Sequence, residues 1–232
     1  ARLQMSQRPQ AMVDEGIVKY LLHRILPVGL TLLLAWNTGV DAQTLRLREV
    51  GTNQTRIVAQ VGQTIQIEVL ADLQGTPSAG SSFFISIPGR EFFEVRDFGQ
   101  AGNEGVQPFV QGPLFRGGVE VSNLLLPESD PVAAQLNGQQ LDYGAVVGLG
   151  GDRERTGSGV IATFSLLCLK PIDNGSLRID DNPIRETRLV LGDGVSEARY
   201  RTTQGMEITV TGIELRDIPD VILTPGQSDS VQ

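Results

Sequence analysis

The stretch that most constrains the fold is 157–170, which reads GSGVIATFSLLCLK. Two glycines and a serine precede about ten residues rich in β-branched and apolar side chains, a pattern that predicts a strand. Pro171 ends the strand because proline cannot donate to a ladder. Apolar residues occur on both faces, so we predict a central strand rather than an edge strand. The residues that share one face by period two are Val160, Ala162, Phe164, Leu166 and Cys168.

Extended segments of the same kind fill most of the chain and are separated by turns rich in Gly, Pro, Asn and Asp. At 64–70, apolar and polar residues alternate, which is typical of a half-buried antiparallel strand. No segment keeps a helical period for more than about two turns, and the best candidate for a short helical turn is 132–136. We predict an all-β antiparallel sandwich. The other predicted strands are 45–50, 56–60, 81–87, 92–98, 106–110, 119–126, 141–149, 176–180, 186–191, 198–202 and 206–211.

The beginning of the chain has the pattern of a secretory leader. Lys19 and Arg24 precede an apolar run at 25–35, and small residues follow up to a cleavage point after Ala42. The run is shorter than the roughly 20 residues of a membrane span. We predict a signal peptide with upstream residues at 1–42 and a protein that is secreted or held at the cell surface. Without cleavage, the same segment would tether the domain to the membrane.

The amino-acid composition argues against several classes of protein function. The net charge of −8 argues against nucleic acid, whose phosphates require a basic face. The single histidine, His23, and the single tryptophan, Trp36, both lie in the predicted leader. Catalysis of the Ser-His-Asp or Cys-His type needs an imidazole, and zinc sites need His or paired Cys. The number of acidic residues does not exclude a glycosidase that uses two carboxylates, but the sequence offers no aromatic subsites for a sugar chain. We predict that the protein is not an enzyme.

No cofactor is predicted, and calcium is the one ion for which the sequence offers ligands. Acidic turns around Asp173, at 180–182 and at Asp193 supply hard oxygen atoms, although such residues more often form turns. Cys168 has no partner for a disulfide within the chain and is predicted to be a buried, inert thiol. In the adjacent pairs Phe83-Phe84 and Phe92-Phe93, one ring of each pair must point away from the core.

Four segments resemble cohesin domains. The sequence VGQTIQIEV at 61–69 is similar to the opening strand of that family, and 79–88 with 93–95 is similar to its next pair of strands. GSGVIATFSL at 157–166 resembles its glycine-led strand, and 205–212 resembles its closing strand. The resemblance implies a flattened jelly-roll sandwich of nine strands, the fold that cohesins share with one group of cellulose-binding modules. The sequence departs from the pattern at 87–91 and at 106–140, which looks inserted.

The resemblance implies a module that binds dockerin-type domains in extracellular assemblies for polysaccharide use. The predicted boundaries are a cohesin-like domain at 43–213 and a linker or the start of another β-domain at 214–232. A carbohydrate-binding module of the same fold is one alternative, although sugar stacking normally uses exposed Trp or Tyr, and a structural spacer of a surface adhesin is another. We expect the contact surface on a sandwich face with strand 141–149 and the loop 150–158 at its rim. The predicted contact residues are Tyr143, Val147, Asp152 and Arg153.

Overall fold

The computed structural model of the chain describes residues 43–99, 105–131, 138–148 and 154–212. These ranges contain fourteen strands, numbered in chain order. The strands are β1 (Thr44–Glu49), β2 (Arg56–Gln60), β3 (Thr64–Asp72), β4 (Ser78–Ile87), β5 (Phe93–Val95), β6 (Val110–Gln111), β7 (Val119–Leu125), β8 (Gln139–Val146), β9 (Ser158–Cys168), β10 (Ile172–Asp180), β11 (Arg188–Leu191), β12 (Glu197–Ala198), β13 (Thr202–Gln204) and β14 (Met206–Thr211).

The described strands form two sheets that pack as a sandwich, which confirms the predicted all-β class. One sheet has the order β13-β1-β3-β9-β5, and β6 also pairs with β9. The other has the order β12-β11-β4-β10-β14-β2, with β8 on β4 and β7 on β8. Most pairs are antiparallel, while β1 with β13 and β2 with β14 are parallel. The predicted helical turn at 132–136 lies outside the described residues, as do the predicted leader and the segment after 212.

β9 is the central strand that the sequence predicts. One of its edges pairs along its length with β3, and its other edge pairs with β5 and β6 in turn. The predicted face is wrong at one residue, because the register shifts between Val69 and Leu70. This bulge leaves Ile161 as an extra residue in β9, so Ile161 is fully buried and Val160 is only half-buried.

The core lies between the inward faces of the two sheets. Its centre is a group of rings in which Phe109 contacts Phe83 and Tyr143 of one sheet and Phe164 of the other, with centroids 5.0–5.7 Å apart. Aromatic pairs at such distances contribute about 0.5–1.5 kcal/mol each beyond the area that they bury. Phe109 therefore links the two sheets, although the predicted strand 106–110 overlaps the observed strand β6 (Val110–Gln111) only at Val110.

The segment around β6 also closes one side of the sandwich. The Asn123 side chain on β7 accepts a hydrogen bond from the Phe109 amide at 3.0 Å and donates one to the Phe109 carbonyl at 2.9 Å. The Leu125 amide donates to the Val106 carbonyl at 2.9 Å. These three bonds tie β7 to the segment that pairs with β9. Among the residues that the structure describes, no helix has the length and hydrophobicity that a membrane crossing requires.

Candidate surface on the outer sheet face

The candidate surface is the outward face of three neighbouring strands, β4, β8 and β7, and we call it the β4–β8–β7 face. Side chains of residues that pair directly across antiparallel strands lie on the same face of the sheet. Since Leu141, Tyr143 and Ala145 point into the core, the residues between them point outward. The outward set consists of Ser82 and Phe84 on β4, Asp142, Gly144 and Val146 on β8, and Val119, Val121, Ser122 and Leu124 on β7.

Tyr143 and Val147, two of the predicted contact residues, are buried, so the expectation that they are exposed is wrong. Tyr143 has no exposed surface and its ring contacts Phe83 and Phe109. Its hydroxyl donates to Glu120 Oε1 at 3.1 Å, and burial together with this carboxylate raises its pKa. Tyr143 points inward from β8, and Val147, which directly follows β8, is also buried. Asp152 and Arg153 lie outside the described residues, and their role stays a prediction.

Exposed apolar side chains on β7 form the most prominent feature of the face. Val119, Val121 and Leu124 are 70%, 64% and 40% exposed. The register of β7 on β8 shifts between Glu120 and Ser122, which leaves Val121 as a bulge residue. Val121 lies above Gly144, where an added Cβ would come within 2.8 Å of the valine Cγ2. Glycine at 144 therefore allows the valine to extend over β8.

The valines of β7 are contact candidates that the sequence prediction missed. Val-Glu-Val at 119–121 alternates as a half-buried strand does, and that pattern favours inward valines and an outward glutamate. The structure reverses this expectation for the valines, because Asn123 and the Phe109 segment fill the inner side of β7. The glycine pair at 117–118 before the strand was the only local signal that the register could change.

Asp142 is the ionisable residue at the middle of the face. It pairs with Phe84 on one side and with Leu124 on the other. Burial raises its pKa, while the Ser122 hydroxyl and the charge of Arg185 oppose that rise. The Ser122 oxygen is itself buried and makes no hydrogen bond of normal geometry within the described part of the chain. The face thus presents a carboxylate that is only partly compensated by its neighbours.

A polar network borders the face beside β4. The Arg185 guanidinium lies over the Phe84 ring, 5.2 Å from its centroid, and pairs with Asp130. Arg185 Nε also donates to Gln140 Oε1 at 3.4 Å, and Gln140 Nε2 donates to Asp180 Oδ2 at 2.9 Å. One ring of the Phe83-Phe84 pair points outward, as predicted, and the structure shows that it is Phe84, which the arginine partly covers.

The acidic turns that could have held calcium are engaged in other contacts. Asp180 also accepts a hydrogen bond from Ser86, and Asp181 pairs with Arg188 at 2.9 Å. Asp193 accepts the amides of Val195 at 3.0 Å and Ser196 at 2.7 Å, and hydrogen bonds from Ser196 and Val195 lower its pKa. The described residues contain no group of three or more His, Cys, Asp or Glu arranged to hold a metal ion. Asp193 therefore forms a turn, as predicted, whereas Asp173 and Asp180 lie within β10.

Cys168 is buried, and burial raises the pKa of its thiol to about 11. A thiol with that pKa carries almost no thiolate at neutral pH, and the thiolate is the nucleophile. Packing is therefore its role, as the sequence predicts.

Solved structures of cohesin domains match this architecture. A type II cohesin from Bacteroides cellulosolvens aligns with a TM-score of 0.53 and 15% identity over 72% of this chain and 99% of its own. A type II cohesin domain from the cellulosome of Acetivibrio cellulolyticus aligns with a TM-score of 0.53 and 16% identity over 72% and 95%. The chain has a cohesin-like fold.

A third match, with a TM-score of 0.51 and 14% identity over 73% of this chain and 99% of the other, comes from a type II cohesin–X–dockerin complex of Acetivibrio cellulolyticus. No protein-family model matches the sequence, and no curated protein matches it. At these sequence identities the structural similarity to cohesins establishes only the fold. That fold is the one that the sequence resemblance implies.

Proposed function

We propose that the chain is a non-catalytic protein-binding module that uses the β4–β8–β7 face to hold a dockerin-type domain. The observation that carries the proposal is the exposed row of Val119, Val121 and Leu124 beside the partly buried Asp142. In this proposal the module belongs to a secreted or surface-attached modular protein that takes part in polysaccharide use.

The physical argument is that such a face gains from being covered. Clustered exposed apolar side chains mark interaction sites more often than scattered ones do. Val121 and Leu124 provide apolar area that a partner would remove from water. Asp142 offers a charged acceptor that would be desolvated at the centre of the contact, where charge-assisted bonds contribute most to specificity. Arg185 and Asp130 would form part of a polar rim.

The cohesin-like fold supports a partner of the dockerin type, because one of the matched cohesins was crystallised in a cohesin–X–dockerin complex. The fold alone does not choose this partner over a sugar. The described outward residues of the face include one aromatic ring, Phe84, and Arg185 lies over it. That arrangement favours a protein partner over a stacked sugar ring.

The test measures binding of immobilised dockerin domains of several types to the wild-type chain and to Val121→Glu. We expect one dockerin to be retained and Val121→Glu to weaken it about 10-fold or more, since a carboxylate would be buried without a partner. The matched control is Val195→Glu, which places the same charge at a valine 82% exposed and outside the β4–β8–β7 face. A second control is Tyr143→Phe, a buried change that should leave binding intact.

The outcomes separate the three functional readings. If the Val121→Glu variant still retains the dockerin, the contact must lie on a surface other than the β4–β8–β7 face. Retention on insoluble polysaccharide without any dockerin would overturn the protein-binding proposal and favour a carbohydrate-binding module. Failure to retain either probe would favour a structural spacer.

A further inference from the structure

A polar cleft of about 300 Å³ lies on the opposite side of β4 from β8 and β7, between β2, β14 and β10. It opens where β10 stops pairing with β14 at Leu177 and starts pairing with β4 at Arg178. The cleft shares no residue with the β4–β8–β7 face. The polar side chains in its wall are Thr55, Arg56, Ser176, Arg178, Gln204 and Glu207.

The register of three strands places these groups together. Glu207 on β14 pairs with Arg56 on one side and with Ser176 on the other, so the three side chains lie in a row on one sheet face. Arg178 follows Ser176 by two residues and therefore shares that face. Gly205 completes the wall, because a Cβ at this position would lie 2.1 Å from the Leu177 carbonyl oxygen. Only glycine allows the chain to approach β10 so closely there.

The charges in the cleft are not balanced. Arg56 pairs with Glu207 at 2.9 Å. The Arg178 side chain is exposed, and its guanidinium makes no hydrogen bond or ion pair with the residues that the structure describes. Two guanidinium groups thus face one carboxylate, in a protein whose net charge is −8. No aromatic side chain lines the cleft, so ring stacking is not the mode of recognition that it offers.

We propose that this cleft binds a small hydroxylated carboxylate, of the chemical class of a uronic acid. The Arg178 guanidinium presents a planar pair of donors that matches a carboxylate. Thr55, Ser176 and Gln204 supply hydroxyl and amide groups that hydrogen-bond to the hydroxyls of such a ligand. The volume is at the lower end of the range of small-molecule sites, about 300–1,000 Å³. The ligand would therefore be one sugar unit rather than a chain.

The test is an NMR titration of the ¹⁵N-labelled chain with D-glucuronate. D-glucose serves as the uncharged analogue, and acetate serves as the carboxylate without hydroxyls. We expect glucuronate to shift the amides of Ser176, Arg178 and Gly205, with a Kd on the order of 1 mM. Arg178→Ala should weaken this binding about 10-fold or more, since a charge-assisted hydrogen bond is lost. Arg178→Lys should recover only part of it, because an ammonium lacks the planar fork.

Arg96→Ala is the matched control, since Arg96 is also exposed, lies outside the cleft and pairs only with Glu94 among the described residues. Unchanged spectra away from the cleft would show that each variant is folded. Binding that is lost in Arg178→Ala and kept in Arg96→Ala supports the proposal. Equal shifts with glucose, equal affinity for acetate, or no shift with glucuronate would each overturn it. Dockerin retention by Arg178→Ala would be unaffected, so this test is independent of the proposed function.

Discussion

At the scale of single residues, the outer face of β8 contains one group whose charge the fold does not fully accommodate. Asp142 lies between Phe84 and Leu124, and burial raises the pKa of its carboxyl above the ordinary value of 3.8. The folded state therefore binds this proton more tightly than the unfolded state does. The stability that the neutral form contributes is complete below the unfolded pKa and is lost as the pH rises through the folded pKa.

Asp142→Asn should stabilise the protein at pH 7, because the neutral amide avoids the cost of a partly buried charge. The gain should be below about 1 kcal/mol, since solvent still screens the carboxylate. It should shrink as the pH falls through the folded pKa and disappear below the ordinary value of 3.8. Thermal unfolding of both proteins between neutral and acid pH measures this difference.

Asp193→Asn provides the control of opposite sign. Hydrogen bonds from Ser196 and Val195 lower the pKa of Asp193, so its charged form stabilises the fold. This variant should be less stable than the wild type at pH 7, and the difference should vanish at acid pH. If both variants changed stability in the same direction, the assignment of burial as the dominant influence on Asp142 would be wrong.

The alternation of residues along β8 indicates which of its side chains point into the core. Leu141, Tyr143, Ala145 and Val147 are all apolar, while Asp142 and Gly144 alternate with them. That pattern favours an inward Tyr143, and the structure buries this residue although it is one of the predicted contact residues. The hydroxyl is satisfied by Glu120, which is 23 positions away in sequence, and no local pattern reveals such a partner.

At the scale of the elements, the sequence predicts the strands better than their register. The positions of β3, β4, β8, β9 and β14 follow from alternation and turn residues, as predicted. The bulge in β9 does not, because it is set by how β3 pairs with β9 near Val69. The alternation of residues within one strand does not reveal a bulge, because the extra residue is set by the register with the partner strand.

The bulge predicts an unequal cost for two neighbouring substitutions. Ile161→Ala should destabilise the fold by about 2–5 kcal/mol, since a fully buried side chain is lost from the core. Val160→Ala should cost about 1 kcal/mol or less, because Val160 is only half-buried. Urea unfolding with comparable m values measures both. Without the bulge, Val160 would share the core face with Ala162 and the order of the two costs would be reversed.

The course of β7 illustrates why the surface was harder to predict than the fold. Its exposed valines depend on a second bulge and on the two hydrogen bonds between the Asn123 side chain and the Phe109 backbone. Both are long-range features that appear only when β6, β7 and β8 are assembled. In this chain the positions of the strands can therefore be predicted from the local sequence, whereas the side chains that an outer strand exposes cannot.

At the scale of the whole molecule, stability depends on the packing between the two sheets. The sequence has one cysteine, so no disulfide forms within the chain. The aromatic group that joins Phe83, Phe109, Tyr143 and Phe164 spans both sheets, and β9 lies at the centre of one of them. A core of this kind, built from contacts that are distant in sequence, is expected to unfold as one cooperative unit.

Cys168 can report on that cooperativity, because it lies at the end of β9 and has no exposed surface. We expect its thiol to react with an aromatic disulfide reagent only after global unfolding, so that the free energy from labelling equals that from equilibrium denaturation. The melting temperature should not change with reductant. Cys168→Ala with Val119→Cys is the control, since a thiol at a position 70% exposed should react at the rate of an unprotected cysteine. Labelling of Cys168 with a markedly smaller free energy would show that the end of β9 opens locally and that the sandwich is not a single cooperative unit.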